Sequence, residues 1–398
     1  MVICMAGRLP ARACHAKLGP MHPFRLVLNR HHGTPGLIVL PEGGYRRAKR
    51  EITAWPGYAP TPLHALAMEG VASVHFKDES GRFGLGSFKA LGGAYAVWKL
   101  LGAELARRGT ANNADGAALE SGQYAHATEQ ITVTCATDGN HGRSVAWGAQ
   151  RFGARCVIFV HENVSQGRRD AIARFGAEIR VVPGNYDDSV RAAQHAADEN
   201  GWFVISDTSY PGYTEPPRDV MQGYRLMAEE AISQMGGVAP THVFVPGGVG
   251  GVAAAVAVQL RAMCGAGPRL IIAEPDQAAC LTDSLEAGEL RTVTGALDTI
   301  MAGLACGEPS LLAWQELERS AFAAMAVPDD LVGPAMRALK AEGIEAGESA
   351  VAGLIALQGA LGSPAACEAL GLTPESRVLI FGTEGATDPE LYEKLTAE

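Results

Sequence analysis

Short runs of apolar and β-branched residues alternate along the chain with longer alanine-rich segments. Most of these runs are continuously apolar, which is typical of strands buried on both faces of a parallel sheet. The pattern predicts an α/β fold with mainly parallel, open twisted sheets flanked by helices. The predicted strands are Val71–Phe76, Ile131–Cys135, Cys156–Val160, Glu178–Val182, Val204–Ser206, His242–Val245, Leu270–Ala273 and Val378–Phe381.

A helical spacing follows Lys89. Apolar residues recur three and four positions apart from Ala90 to Trp98, which predicts a helix with one buried face. A second helix is predicted over Ser144–Phe152, directly after a loop. The small, polar segment Thr110–Gln130 is interpreted as a surface excursion.

The amino-acid composition limits the kinds of function that this protein can have. The chain has 398 residues, of which 47% are hydrophobic and 19% charged, as expected of a globular enzyme with one or two domains. The net charge is −10 and no basic run occurs, so nucleic acid is not expected as a partner. No apolar run is long enough for a membrane span, and the scattered cysteines form no C-x-x-C pair. We therefore expect a cytoplasmic protein.

One lysine lies in an unusual setting. Lys89 follows a glycine-rich stretch from Gly81 and stands where the predicted helix begins. Amide dipoles and poor solvation there disfavour a charged ammonium and make a neutral, nucleophilic amine reachable, as a Schiff base requires. The alternative is an ordinary solvated lysine.

A glycine loop follows the strand His242–Val245. The stretch Pro246–Gly251 leads directly into an alanine-rich helix, an arrangement that offers free N–H groups to a phosphate. The pattern Gly248-x-Gly250 also resembles a dinucleotide fingerprint, with Glu274 as its ribose-binding acid. A nicotinamide-dependent dehydrogenase, or a purely structural turn, is therefore an alternative interpretation.

Two further loops follow predicted strands. One carries Asp138, Asn140 and His141, and the other runs from Gly382 to Pro389. Because the carboxyl ends of parallel strands meet at one edge of a sheet, these loops are expected to converge with the glycine loop on one crevice. By residue type alone, Asp138 would be a helix cap and His141 a core residue.

The amino-acid sequences of these loops, and of the segments around Lys77 and Lys89, resemble those of a known family. Lys-Asp-Glu-Ser, Gly-Ser-Phe-Lys, Thr-Asp-Gly-Asn-His-Gly-Arg and Gly-Thr-Glu-Gly-Ala-Thr-Asp are similar to the diaminopropionate ammonia-lyase family, within the fold type II pyridoxal 5′-phosphate enzymes. The resemblance covers about residues 55 to 390. It implies a cofactor crevice between two domains, a large one formed by 41–98 and 205–398 and a small inserted one formed by 99–204. Residues 1–40 are then an N-terminal extension, of which 1–20 are expected to lie outside the fold.

The resemblance also implies roles for individual residues. Lys89 would form the Schiff base with the cofactor, and Asn140 would contact the pyridoxal 3′-oxygen. Thr383 would place a hydroxyl beside the pyridine nitrogen, which suits β-elimination. The phosphate would be bound by the backbone of Gly247, Gly248, Val249, Gly250 and Gly251.

Two carboxylates are implied as acids or bases. They fall on Asp138 and Asp207, and Asp187 and Asp188 lie near the latter in sequence. Most dehydratases of this superfamily carry a serine or threonine in place of Asp138. A carboxylate there would bind the β-ammonium of 2,3-diaminopropionate better than a β-hydroxyl, by about 1.5–3 kcal/mol.

The resemblance implies an enzyme that eliminates ammonia from 2,3-diaminopropionate and yields pyruvate and two molecules of ammonia. A homodimer is the implied assembly, with a small amino acid as the ligand and no metal. A serine or threonine dehydratase of the same fold is the main alternative, and a non-catalytic pyridoxal-binding module is a remote one.

Overall fold

The structure is a computed structural model that describes residues 24–112, 114–137, 139–184 and 186–397. Residues 1–20, predicted to lie outside the fold, and Asp138 are outside these ranges. Strands in the described residues are β1 Arg25–Leu28, β2 Leu63–Leu66, β3 Ser73–Asp78, β4 Thr132–Ala136, β5 Arg155–His161, β6 Glu178–Val182, β7 Phe203–Val204, β8 His242–Pro246, β9 Arg269–Pro275, β10 Ala323–Val327 and β11 Arg377–Gly382. The α-helices are α1 Glu42–Ala54, α2 Ala90–Arg107, α3 Gly116–Glu120, α4 Ala125–Thr128, α5 Asn140–Phe152, α6 Gln166–Ala173, α7 Tyr186–Asn200, α8 Glu215–Gln234, α9 Gly251–Cys264, α10 Cys280–Ala287, α11 Leu311–Ser320, α12 Val332–Ala341, α13 Ala352–Leu361, α14 Pro364–Leu370 and α15 Pro389–Thr396.

The larger sheet has seven strands in the order β1-β10-β9-β8-β11-β3-β2. Its five inner strands are parallel, and β1 and β2 pair antiparallel at the two edges. Every residue of β8 is buried, as its continuous apolar run predicts for a strand covered on both faces. The predicted α/β class with mainly parallel sheets is confirmed.

The smaller sheet has four parallel strands in the order β6-β5-β4-β7. All four lie within the segment 99–204 that the sequence assigns to an inserted domain. The boundaries of the two domains stay a prediction. None of the helices in the described residues is long and apolar enough to cross a membrane.

Three strands were missed by the sequence pattern. Strand β10 reads Ala-Ala-Met-Ala-Val, and alanine has a low strand propensity, so this segment resembles a helix locally. Strands β1 and β2 have only four residues each and are half-exposed edge strands. Strand β1 falls within the predicted N-terminal extension, although it pairs with β10.

The excursion predicted at residues 110–130 contains two short helices, α3 and α4. Leu119 and Thr128 are nevertheless buried, so part of the segment packs against the body of the protein. The carboxyl ends of β3, β4, β8 and β11 all lead into segments that line one cleft. The segment after β7 reaches the same cleft, as do side chains from α6, α7 and α8.

Candidate active site

Lys89 lies immediately before α2 and is held there by two other segments. The backbone N–H of Phe88 donates to the Thr383 carbonyl at 3.1 Å, and the Ser144 hydroxyl donates to the Lys89 carbonyl at 2.7 Å. Helix α2 approaches α5 closely because Gly93 has no side chain; a Cβ there would lie 2.5 Å from the Ser144 hydroxyl. The small residue at position 93 therefore brings the start of α2 against the first turns of α5.

The amine of Lys89 contacts a carboxylate. Its Nζ lies 2.5 Å from Asp207 Oδ2, and the two side chains are only 20% and 13% exposed. Burial lowers the pKa of Lys89, but the charge and hydrogen bond of Asp207, together with Tyr224 and Cys306, outweigh this effect, and the pKa lies above its ordinary value. The expectation of a neutral amine was therefore wrong for this arrangement, because Asp207 comes from a distant part of the chain.

The loop that carries Asp207 is fixed by a tyrosine. The Tyr213 hydroxyl donates to the Val204 carbonyl at 2.9 Å and accepts from the Ser206 N–H at 3.0 Å. Burial disfavours the charge of Asp207, yet the nearby Lys89 ammonium holds the pKa of this carboxyl well below its usual range. Asp207 is therefore a carboxylate held at a fixed position beside Lys89.

His141 also faces Asp207. Its Nδ1 lies 3.8 Å from Asp207 Oδ2, and its Nε2 lies 2.8 Å from the Ile205 carbonyl oxygen. The ring is 6% exposed, and Nδ1 has no hydrogen-bond partner among the described residues. The pKa of His141 is lowered, chiefly by burial, so the ring is neutral near pH 7.

The glycine loop after β8 ends at the start of α9, as predicted. The N–H groups of Gly248, Val249 and Gly251 donate to no backbone or side-chain acceptor in the described part of the chain. Such groups at a helix N-terminus bind anions. Gly250 precedes α9 in the left-handed region, with φ 91°, a conformation that favours glycine.

Gly247 is required for a different reason. A Cβ at this position would lie 2.6 Å from Cγ of Glu274. Glu274 is fully buried and accepts hydrogen bonds from the N–H groups of Leu281 and Thr282, at 3.1 and 2.7 Å, at the start of α10. Burial raises the pKa of Glu274 to about 7 despite these bonds. Both oxygens of this side chain already accept hydrogen bonds inside the protein, which removes the support for a ribose-binding role.

Asn140 and Thr383 lie on the same cleft, and a neighbouring carboxylate orients Asn140. The Asn140 amide donates to Glu384 Oε2, and the Ser349 N–H donates to Glu384 Oε1 at 3.1 Å. Both Thr383 and Glu384 are 4% exposed. Glu384 directly follows the predicted Thr383, but the sequence offered no reason to separate its role from that of its neighbours.

The cleft has an empty volume of about 930 Å³, including the space open at its mouth. Lys89, Asn140, Asp207, Thr383 and four residues of the glycine loop, Gly247, Gly248, Val249 and Gly251, line it. The structure thus brings together every predicted site residue except Gly250, which supports the loop from behind, and Asp138, which is outside the described residues. Asp188 instead pairs with Arg191 on α7, 2.6 Å away.

Other lining residues were not expected from the sequence. Arg168, from α6, donates to Glu348 Oε1 at 2.6 Å. Burial, together with the charge of Glu384, raises the pKa of Glu348 above its ordinary value. Tyr224, from α8, is buried, and its ring centroid lies 5.8 Å from Lys89 Nζ. The cleft therefore contains both cationic and anionic side chains, as a site for a zwitterionic ligand requires.

Comparison with known proteins adds to this geometry. The family model of pyridoxal-phosphate dependent enzymes matches residues 54–383. A diaminopropionate ammonia-lyase from Escherichia coli K12 is 40% identical over 358 residues, which cover 86% of this chain and 88% of the relative. The L-threonine dehydratase of Salmonella typhimurium is 30% identical, over 63% of this chain and 43% of its own.

A solved structure is similar over nearly the whole chain. It is the diaminopropionate ammonia-lyase of Escherichia coli in complex with an aminoacrylate-PLP azomethine reaction intermediate. Its TM-score is 0.83 at 36% sequence identity, and the match covers 94% of this chain and 96% of that chain. The likeness therefore extends beyond residues 54–383, which the family model matches.

Proposed function

Since the chain belongs to the pyridoxal-phosphate dependent enzymes and, among them, to the diaminopropionate ammonia-lyases, we propose that it eliminates ammonia from 2,3-diaminopropionate. The substrate loses its Cα hydrogen as a proton and its β-nitrogen as ammonia. Water then releases the α-nitrogen as a second ammonia and leaves pyruvate. The convergence of Lys89, Asp207 and the glycine loop on one cleft is the observation that carries this proposal.

The described residues fit the cofactor. The free N–H groups at the start of α9 suit its phosphate, and the packing of Gly247 against Glu274 keeps that loop compact. Lys89 would hold the cofactor covalently, while Asn140 and Thr383 would contact its ring. When bound, pyridoxal phosphate supplies the electron sink that stabilises negative charge at Cα of an amino acid.

Asp207 is proposed to remove the Cα proton. Its carboxylate faces the cleft and lies close to the amine that is proposed to bind the cofactor. A general base held at hydrogen-bond distance typically contributes a rate factor of about 10² to 10⁴. In the cofactor-free protein the charge of Lys89 lowers the pKa of Asp207, which keeps this side chain deprotonated.

Asp138 is proposed to bind the β-ammonium group and to act as a second base, so that the two carboxylates serve the two enantiomers of the substrate. Its neighbours Thr137 and Gly139 line the cleft, which supports this assignment. A charge-assisted hydrogen bond to an ammonium would favour diaminopropionate over serine by about 1.5–3 kcal/mol. The proposal thus accounts for selectivity as well as for catalysis.

A direct assay tests the proposed reaction. Purified protein with pyridoxal phosphate is given L- and D-2,3-diaminopropionate, L-serine and L-threonine in parallel, and pyruvate and ammonia are measured. We expect two ammonia per pyruvate and a clear preference for diaminopropionate. A preference for serine or threonine would instead establish a dehydratase and would leave Asp138 without a role in selectivity.

We also propose that the enzyme works as a homodimer in the cytoplasm. Leu37 and Ile38, adjacent residues before α1, are 58% and 83% exposed, and such apolar side chains suit a subunit contact. Sedimentation analysis of Leu37→Asp beside the wild type tests the assembly. A wild-type monomer would refute the homodimer and leave the proposed reaction untouched.

A further inference from the structure

One buried titratable group in the cleft has no role in the reaction proposed above. His141 is the second residue of α5, and its ring lies between the Ile205 carbonyl and the Asp207 carboxylate. Among the described groups, Asp207 and Lys89 are the ionisable ones that face it. The arrangement of protons on this ring follows from its two neighbours.

The contact with Ile205 fixes the tautomer. A carbonyl oxygen can only accept a hydrogen bond, so the Nε2 atom 2.8 Å away must carry the proton. A neutral imidazole has one N–H group, and therefore Nδ1 carries a lone pair. This lone pair faces Asp207 Oδ2 across 3.8 Å.

Two acceptors thus face each other with no proton between them. Neither a carboxylate nor a lone pair can donate, which explains why Nδ1 has no hydrogen-bond partner in the described residues although it is buried. One added proton would convert this contact into a hydrogen bond of about 3 Å after a small shift of either side chain. Removal of the Cα proton by Asp207 supplies that proton.

We propose that His141 is a positioning residue that acts through Asp207 by holding the proton that Asp207 removes from the substrate. This inference rests on the proposed function. As Asp207 Oδ2–H breaks, the Nδ1 lone pair forms Nδ1–H, so that Asp207 returns to a carboxylate and His141 becomes an imidazolium. The imidazolium then donates to both the Ile205 carbonyl and Asp207. The reverse transfer returns the proton to Asp207, from which it leaves to water after product release.

The direction of transfer agrees with the surroundings. Burial opposes the charge of Asp207, but the nearby Lys89 ammonium keeps the pKa of this carboxyl far below its ordinary value, so a protonated Asp207 is a strong acid. The Nδ1 lone pair of His141 lies 3.8 Å from Asp207 Oδ2 and is placed to accept this proton.

Two substitutions separate this role from a structural one. His141→Gln keeps a donor near the position of Nε2 for the Ile205 carbonyl but removes the titratable Nδ1. His141→Asn is too short to reach Ile205 and also cannot titrate. A structural role predicts that only the asparagine variant is impaired, whereas a proton-holding role predicts that kcat falls about tenfold or more in both, with KM little changed.

The test uses the holoenzyme, both enantiomers of diaminopropionate and the Asp207→Asn background. We expect His141→Gln to lower kcat for the enantiomer whose turnover depends on Asp207. In the Asp207→Asn background, adding His141→Gln should lower kcat by less than a further factor of two. A glutamine variant with wild-type kcat would refute the inference, and so would an equal loss in the Asp207→Asn background. Failure of the wild type to release pyruvate would instead refute the proposed function.

A second readout does not depend on activity. Nitrogen-15 NMR of histidine-labelled protein, with His141→Gln used for assignment, reports which ring nitrogen carries the proton. We expect the Nε2–H tautomer of neutral His141 at pH 7 to 8, with or without cofactor. A proton on Nδ1 in this range would contradict the inference even if the variants fold poorly.

Discussion

Lys89 Nζ lies 2.5 Å from Asp207 Oδ2, although 118 positions separate the two residues in the sequence. The contact joins the start of α2 to the segment after β7. It stabilises the ammonium form of Lys89 and the carboxylate form of Asp207 at once, which explains why the pKa of Lys89 is raised by the Asp207 charge in spite of burial. The same contact joins Lys89, which is proposed to bind the cofactor covalently, to Asp207, which is proposed to act as the general base.

Asp207→Asn should separate these two roles. Without the carboxylate, the pKa of Lys89 should fall, and elimination from at least one enantiomer should slow by about 10² to 10⁴ in kcat, while the cofactor stays bound. The pH dependence of Schiff-base formation by the cofactor-free protein with added pyridoxal phosphate, followed by absorbance, measures the first effect, and steady-state kinetics measure the second. Asp276→Asn, at an exposed aspartate, is the matched control and should behave as the wild type. An Asp207→Asn enzyme with normal turnover of both enantiomers would remove Asp207 from the mechanism.

Gly247→Ala should destabilise the protein even without cofactor. The added Cβ would lie 2.6 Å from Cγ of Glu274, which is fully buried and cannot move away easily. We expect a loss of about 1–3 kcal/mol in the free energy of unfolding, together with weaker cofactor binding. Chemical denaturation of the cofactor-free protein measures the first effect.

Gly251→Ala is the control for this substitution. Its Cβ would meet no described protein atom closer than 3.7 Å, at Met221 Cγ, so the cofactor-free protein should keep its stability. Equal destabilisation by both alanines would show that crowding against Glu274 is not the reason for the glycine at 247.

Glu384→Gln should weaken cofactor binding through Asn140. The carboxylate accepts the Asn140 amide on one oxygen and the Ser349 N–H on the other, so its loss frees the amide to rotate. We expect the dissociation constant of pyridoxal phosphate to rise about tenfold, as for loss of a charge-assisted hydrogen bond. Fluorescence titration measures it. Glu345→Gln is the control, because Glu345 is exposed and accepts from Ala386 in the same loop without lining the cleft.

Glu348 should make the protein less stable as the pH rises. Burial and the Glu384 charge raise its folded-state pKa above the ordinary 4.5, so between these two values the folded state binds a proton that the unfolded state has lost. This contribution is complete below pH 4.5 and is lost as the pH rises through the raised pKa. Urea denaturation from pH 4.5 to 8 should therefore show a smaller fall in stability for Glu348→Gln than for wild type, by about 1–3 kcal/mol.

Part of that fall should persist in the variant, because Glu274 titrates in the same direction, with its pKa raised by burial to about 7. Glu342→Gln, an exposed carboxylate at the end of α12, should leave the profile unchanged. A Glu348→Gln profile identical to the wild type would show that Glu348 does not bind the extra proton.

Local sequence patterns were sufficient for every inner strand except β10 and for the loops predicted to converge on the cleft. Lys89, the glycine loop and Thr383 each lie at the junction of a strand and the next element, and the topology of a parallel sheet brings such junctions together. Strand β10 was missed because its alanines carry no strand signal, and its pairing with β9 depends on burial from both sides.

The features of the site that the sequence did not predict depend on contacts between distant segments of the chain. Tyr224 reaches the cleft from the middle of α8, and Arg168 from the first turn of α6, where no motif marks them. The charge state of Lys89 was predicted wrongly for the same reason, since it depends on Asp207 rather than on the neighbouring amides. Sequence reasoning found the residues with local signals but not the partners that set their chemistry.

The most direct test of the account is to identify the lysine that binds the cofactor. Borohydride reduction of the holoenzyme, followed by proteolysis and mass spectrometry, should give a pyridoxyl adduct on the peptide that contains Lys89, and Lys89→Ala should give none. Lys77 is the critical comparison, because it is fully buried, but its amine already donates to Thr61, Glu230 and Gln234. An adduct at Lys77, or at any lysine other than Lys89, would contradict the assignment of the site.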